Sequence, residues 1–255
     1  MSVIIVQSNT AVPSPMNSPV PKPIPNRERL IFALDVADAN QARDLVTALG
    51  DSVEFYKIGL ELFMAGGYFE LIDWLAKRNK NIFCDLKFFD VPATVASAIK
   101  RLNNRGVTFA TIHGNQSIME ATAAAKIDVK VLAVTVLTSL DRGDLADLGF
   151  ECDVEKLVLS RARRALEAGC DGVVSSGLEA IALRQYIDNK LLIVTPGIRP
   201  VENRPSDDQK RVVSVDQAFR NGADYIVVGR PIRDAADPRA AAEAIQATIA
   251  KVFTT

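Results

Sequence analysis

Asn81-Ile82-Phe83-Cys84-Asp85-Leu86-Lys87-Phe88-Phe89-Asp90-Val91-Pro92-Ala93-Thr94 begins as a short apolar strand and ends on charge. Side chains on a strand alternate between its faces, so Phe83, Asp85 and Lys87 share one of them. Asp90 follows just before a run with helical spacing. An acid, a base and a second acid gathered at the end of a buried strand are costly to desolvate unless they are paired or used. Taken alone, the stretch also suits a structural ion pair followed by a helix cap, because Asp is favoured at N-caps and Pro92 fits a first helical turn. The rest of the chain decides between the two.

On either side of this stretch, strand-like and helix-like segments alternate. Apolar runs at 30–35, 53–58, 81–87, 107–113, 129–136, 171–175, 191–195 and 224–228 predict strands. Helical spacing at 39–49, 61–77, 91–104, 116–125, 154–168, 178–187, 215–221 and 238–252 predicts the helices between and after them. Units of roughly 25–30 residues suit a closed parallel barrel better than an open sheet. Ala168-Gly169 and Asn221-Gly222, each shortly before an aspartate and a strand, read as helix C-caps. An open doubly wound sheet would carry a glycine fingerprint after its first strand, and Asp35-Val36-Ala37-Asp38 has none. The fold class read from the chain is α/β, a single (β/α)8 TIM barrel over residues 27–255.

Residues 1–26 stand apart. Six of the twelve prolines (Pro13, Pro15, Pro19, Pro21, Pro23 and Pro25) lie there, which predicts a disordered or polyproline-like tail. With 255 residues and 48% apolar composition, a large core can be buried. A formal charge of −1 gives no electrostatic case for nucleic acid or an anionic membrane surface. Cys84, Cys152 and Cys170 are odd in number, with no CxxC pair. That pattern fits reduced thiols in a cytoplasmic protein and argues against a disulfide framework or a zinc site. No apolar run approaches a membrane span, and Val3-Ile4-Ile5-Val6 is too short and lacks the basic flank of a signal peptide.

In such barrels the working site lies at the C-terminal ends of the strands. Asp35, Lys57, Asp85 with Lys87, His113, Thr135 to Ser139, Ser175 with Ser176, Thr195 to Arg199, and Gly229 with Arg230 occupy those ends. This convergence of charge favours a functional use of Asp85, Lys87 and Asp90. Gly197 and Gly229 permit close backbone approach, and Arg230 can grip a phosphate through parallel hydrogen bonds. The polar stretch 200–210 reads as a lid over that phosphate, with Gln209 within reach. His113, the single histidine, reads as a hydrogen-bonded wall of the site rather than a catalyst, and Trp74 as packing.

Five segments together resemble the orotidine 5′-phosphate decarboxylase family. They are Ala33-Leu34-Asp35, Lys57-Ile58-Gly59, the segment from Asp85 to Thr94, Thr195-Pro196-Gly197-Ile198-Arg199 and Val228-Gly229-Arg230-Pro231-Ile232. The likeness spans residues 27–253, and its ten-residue segment is the most specific part. It implies conversion of orotidine 5′-phosphate to uridine 5′-phosphate in de novo pyrimidine biosynthesis, without cofactor or metal. It further implies that Asp35 binds ribose hydroxyls and that Lys57, Asp85 and Lys87 form a charged array completed by Asp90 from a second subunit. Thr94, also from the second subunit, would touch the ribose. Thr138 would meet the pyrimidine, and Arg199, Gln209, Gly229 and Arg230 would hold the phosphate. A homodimer with shared active sites follows from the same likeness.

The residues suit that chemistry. Loss of carbon dioxide leaves negative charge on a ring carbon, which a fixed ammonium can stabilise and then protonate; Lys87 fits both roles. Neighbouring carboxylates would keep it charged and oriented. A metal-dependent keto-gulonate phosphate decarboxylase, which shares the Asp-x-Lys-x-x-Asp spacing, would carry an acidic ligand where this chain has Lys57. A silent nucleotide sensor would have lost Lys87 or an aspartate, and all are present.

Overall fold

The apolar runs close on themselves. The computed structural model describes residues 22–199 and 212–254. Among these, eight parallel strands form a closed barrel in sequence order, each paired with its neighbours and the last with the first. The first half of the barrel comprises β1 (Leu30–Ala33), β2 (Phe55–Gly59), β3 (Asn81–Phe88) and β4 (Val107–His113). The second half comprises β5 (Lys130–Val134), β6 (Gly172–Val174), β7 (Leu192–Thr195) and β8 (Tyr225–Val228).

Helices cover the outside. After β1 comes α1 (Ala39–Leu49), whose N-cap Asp38 accepts from the amides of Asn40 and Gln41. After β2 the predicted single helix 61–77 is two, α2 (Leu60–Ala65) and α3 (Tyr68–Ala76). The break falls at Gly66 and Gly67, both at positive φ, a backbone state that side-chain-bearing residues rarely adopt. Next are α4 (Pro92–Leu102) and α5 (Gln116–Ala125). The segment after β5, where the sequence reading has no helix before 154, contains α6 (Arg142–Asp147), started by an Asp141–Asp144 capping box, and leads to α7 (Val154–Glu167). Then come α8 (Ala180–Tyr186), α9 (Val215–Arg220), the short α10 (Arg230–Arg233) and α11 (Pro238–Phe253).

Alternation sorts the strand residues into two layers. Ile31, Ala33, Phe55, Phe83, Phe109, Leu132, Val194, Tyr225 and Val227 form one buried cluster inside the barrel. Phe109 lies at its centre, with ring centroids 5.0 Å from Phe55, 5.1 Å from Tyr225 and 5.9 Å from Phe83. This apolar plug fills the interior, so polar groups gather beyond its ends, at the C-terminal rim and at the opposite end. The other strand faces, among them Leu30, Phe32, Ile82, Cys84 and Ile112, pack against the helices. Trp74 lies half-buried against this outer layer with the Arg78 guanidinium 3.7 Å above its ring, as packing predicts.

Contacts reach back before the expected boundary near Arg27. Lys22 Nζ lies 2.9 Å from buried Asp224, and Ile24 packs against the interior cluster. Residues 1–21, most of the proline-rich segment, lie outside the described residues. Pairing of Lys22 with an aspartate 202 positions away has no local signature.

Candidate active site

Register assembles the charged row. β2 pairs with β3 so that Gly59 stands opposite Asp85, and Ala33 of β1 stands opposite Lys57. Lys57 Nζ lies 3.0 Å from Asp35 Oδ1 and 3.5 Å from Asp85 Oδ2. Lys87 Nζ donates to the same Asp85 Oδ2 at 2.9 Å. Charges therefore alternate along the rim as Asp35, Lys57, Asp85, Lys87. β1 ends at Ala33, so Asp35 projects from the residues just beyond it rather than from the strand.

Alternation settles the charge states. Burial works against the Lys57 ammonium, but the carboxylates of Asp85 and Asp35 outweigh it and hold the pKa above the ordinary lysine value. Burial likewise pushes the Asp85 carboxyl up. Lys57 and Lys87, with hydrogen bonds from Lys87 and Thr111, overcome that and hold it below the usual carboxylate range. Lys57 and Asp85 are thus both held in their charged forms.

β3 does not run regularly through this row. Cys84 pairs with Ala110 and Phe88 with Ile112, so Asp85, Leu86 and Lys87 together face the single residue Thr111. Lys87 takes a left-handed backbone, φ 47°, inside this bulge. Bulges re-aim side chains next to active sites. Here the bulge still leaves Asp85 and Lys87 on the cavity wall with Phe83, as simple alternation predicts.

A cavity of about 480 Å³ opens over the row. Of the sequence-predicted residues, Asp35, Lys57, Asp85, Lys87, Thr138, Arg199, Gly229 and Arg230 line it, together with Ser139. Asp90 and Thr94 do not; both are exposed, and Asp90 accepts the Val91 amide. Val91, not Asp90, occupies the N-cap position of α4. Gln209 lies outside the described residues. His113 is not part of the lining: its ring lies 4.7 Å from Phe89, and burial, aided by Arg161 and Lys87, lowers its pKa. Ser175 and Ser176 are buried and also stand away from the lining.

Two residues went unrecognised in the sequence. Thr111 hydrogen-bonds Asp85, and its signal was a polar residue at an inward position two after Phe109. Arg233 lines the cavity and donates to the Asp35 carbonyl at 2.7 Å; its signal was the spacing of three from Arg230 on a helical turn.

Two acids and two lysines thus alternate along the rim, with arginines on the same cavity wall. Residues 28–245 match the Orotidine 5'-phosphate decarboxylase / HUMPS family. The chain belongs to that family. It is 68% identical over 232 residues to an orotidine 5'-phosphate decarboxylase of Methylococcus capsulatus, covering 91% of this chain and 96% of that protein. The counterpart of Stenotrophomonas maltophilia is 55% identical over 238 residues, covering 92% and 98%. Among solved structures, the orotidine 5'-phosphate decarboxylase of Lactobacillus acidophilus superposes with a TM-score of 0.77 at 35% identity, covering 87% of this chain and 99% of that one. Family membership and the barrel agree, and the cavity opens at the C-terminal rim of the strands.

Proposed function

We propose that this protein decarboxylates orotidine 5′-phosphate to uridine 5′-phosphate, the pyrimidine nucleotide product, with Lys87 as the group that stabilises and then protonates the carbanion. The observation that carries the reading is the Lys87 ammonium on the cavity wall, held 2.9 Å from Asp85, whose second lysine neighbour is Lys57. The bond from the ring to the carboxylate breaks and its electron pair stays on the ring carbon. A fixed ammonium lowers the energy of that charge as it forms, and a proton from Nζ then replaces the lost carboxylate. Asp35, whose Oδ1 accepts from Lys57, binds a ribose hydroxyl through its second oxygen. Thr138 meets the base, and Arg199, Arg230 and the Gly229 backbone receive the phosphate, with Gln209 added from the stretch 200–211. Binding energy from that remote phosphate is spent on orienting the reacting end.

The metal-dependent alternative within the family is disfavoured by Lys57. Its ammonium fills the space between Asp35 and Asp85, where a divalent cation would need those oxygens free.

A homodimer completes the site in this reading. Asp90 and Thr94 are exposed and absent from the lining of their own cavity, and exposed Phe89 and Val91 flank Asp90 in the chain. Exposed apolar groups gathered around polar residues of this kind mark a contact surface, and a second copy covering it would receive Asp90 and Thr94. A cytoplasmic setting agrees with the three free thiols of Cys84, Cys152 and Cys170. No described helix is long and apolar enough to cross a membrane.

Turnover of orotidine 5′-phosphate, with and without a chelator, tests the assignment beside Lys87→Ala. The wild-type protein is expected to work unchanged in chelator. Lys87→Ala is expected to lose about a thousandfold or more in kcat while binding uridine 5′-phosphate within about tenfold of wild type. Loss of binding with kcat intact, or turnover that stops in chelator, overturns it.

A further inference from the structure

We propose that Thr111 is a positioning residue for the Asp85–Lys87 pair, holding the carboxylate plane and the lysine backbone through one hydroxyl; this rests on the functional reading above. Thr111 is completely buried, on β4, beneath the charged row. Its Oγ1 donates to Asp85 Oδ1 at 2.9 Å and accepts the Lys87 amide at 3.0 Å. Because an ionised carboxylate can only accept, the hydroxyl proton has one direction to point, and the oxygen's lone pairs are left for the amide.

The two oxygens of Asp85 are thereby divided. Oδ1 is held by Thr111, while Oδ2 takes the ammonium of Lys87 and faces that of Lys57. A carboxylate tied at one oxygen cannot rotate to follow a moving lysine, so the ammonium has a fixed anchor. The second bond acts on the main chain. Three residues of β3 face Thr111 alone, so the Lys87 amide has lost its place in the regular ladder, and its backbone sits at φ 47°. A non-glycine residue stays in that region only when its surroundings hold it there. The hydroxyl is that hold, and Thr111 itself has no exposure to solvent.

The geometry therefore links Thr111 to the step that depends on where Nζ points, and not to the phosphate or base contacts. Thr111→Val keeps the shape and removes both bonds; Thr111→Ser keeps the hydroxyl and removes a methyl group. For Thr111→Val, kcat is expected to fall about ten- to a hundredfold, with KM and uridine 5′-phosphate affinity within about threefold of wild type. Thr111→Ser is expected to restore kcat to within about threefold. A Val variant with wild-type kcat overturns the proposal, as does one whose losses appear equally in kcat and binding and are not recovered by Ser, since that pattern is packing alone. If the wild-type protein does not turn over the substrate, the functional reading fails instead. Amide exchange at Lys87 still judges Thr111 in that case: faster exchange in Val than in wild type and Ser supports the hold, and equal exchange refutes it.

Discussion

Lys57 stands between two carboxylates but leans on Asp35, 3.0 Å away against 3.5 Å to Asp85. The shorter contact crosses from β2 to the residues beyond β1; the longer one leaves Asp85 free to bind Lys87 at 2.9 Å. One lysine thus neutralises part of each acid while keeping the second acid available for the reacting ammonium. Removing it strands negative charge at the rim of an apolar plug.

Lys57→Met is accordingly expected to destabilise the fold by about 3 kcal/mol at neutral pH, because a buried carboxylate loses a counter-charge. The sign with pH follows from the shifts. Asp85 is held below its ordinary value of 3.8, so its share is present above about pH 4 and disappears as pH falls through the lower folded value. Lys57 is held above 10.5, so its share is complete below that value and is lost as pH rises through the folded one. Urea unfolding of wild type and variant should therefore differ most across the neutral range and converge at both extremes. A difference that stays constant down to acid pH counts against the pairing.

The proposed sharing of sites between two subunits makes a prediction that needs no structure of the assembly. Lys87→Ala and Asp90→Ala chains, each inactive alone, should recover activity when unfolded together and refolded as a mixture. Random pairing makes half the dimers mixed, each with one intact site of two, so recovery should approach about a quarter of wild type. A mixture as inactive as its components places Asp90 outside any neighbour's cavity.

At the opposite end of the barrel, Asp224 accepts from Lys22, from Arg184 at 2.6 Å and from the Ile193 amide. Burial lowers the Lys22 pKa despite that partner. Asp224→Ala leaves Lys22 and buried Arg184 without their carboxylate and is expected to cost about 3–5 kcal/mol. Lys22→Ala should cost less, because Asp224 keeps Arg184. Thermal unfolding of both variants checks the order, and kcat of the folded fraction should be unchanged in each, since the cluster lies far from the cavity rim.

Much of this was legible in the chain because it is local. Strand alternation and helix spacing are properties of neighbouring residues, so β4 and α5 end where the sequence places them, and Asp35, Lys57, Asp85, Lys87, Thr138, Arg199, Gly229 and Arg230 could be assigned to one rim before any distance was known. The likeness to the family rested on the same residues, Thr138 excepted.

What the sequence by itself determined is the barrel, the order of its elements and the rim on which charge collects, because hydrophobic period and residue type along the chain suffice for these. Tertiary structure alone decided the rest: the bulge that sets Asp85, Leu86 and Lys87 against Thr111, the division of Asp85 between two lysines and a hydroxyl, and the clasp from Lys22 to Asp224. Each of these joins groups on different strands or distant segments. Their energies depend on register and burial, which exist only once the barrel has closed.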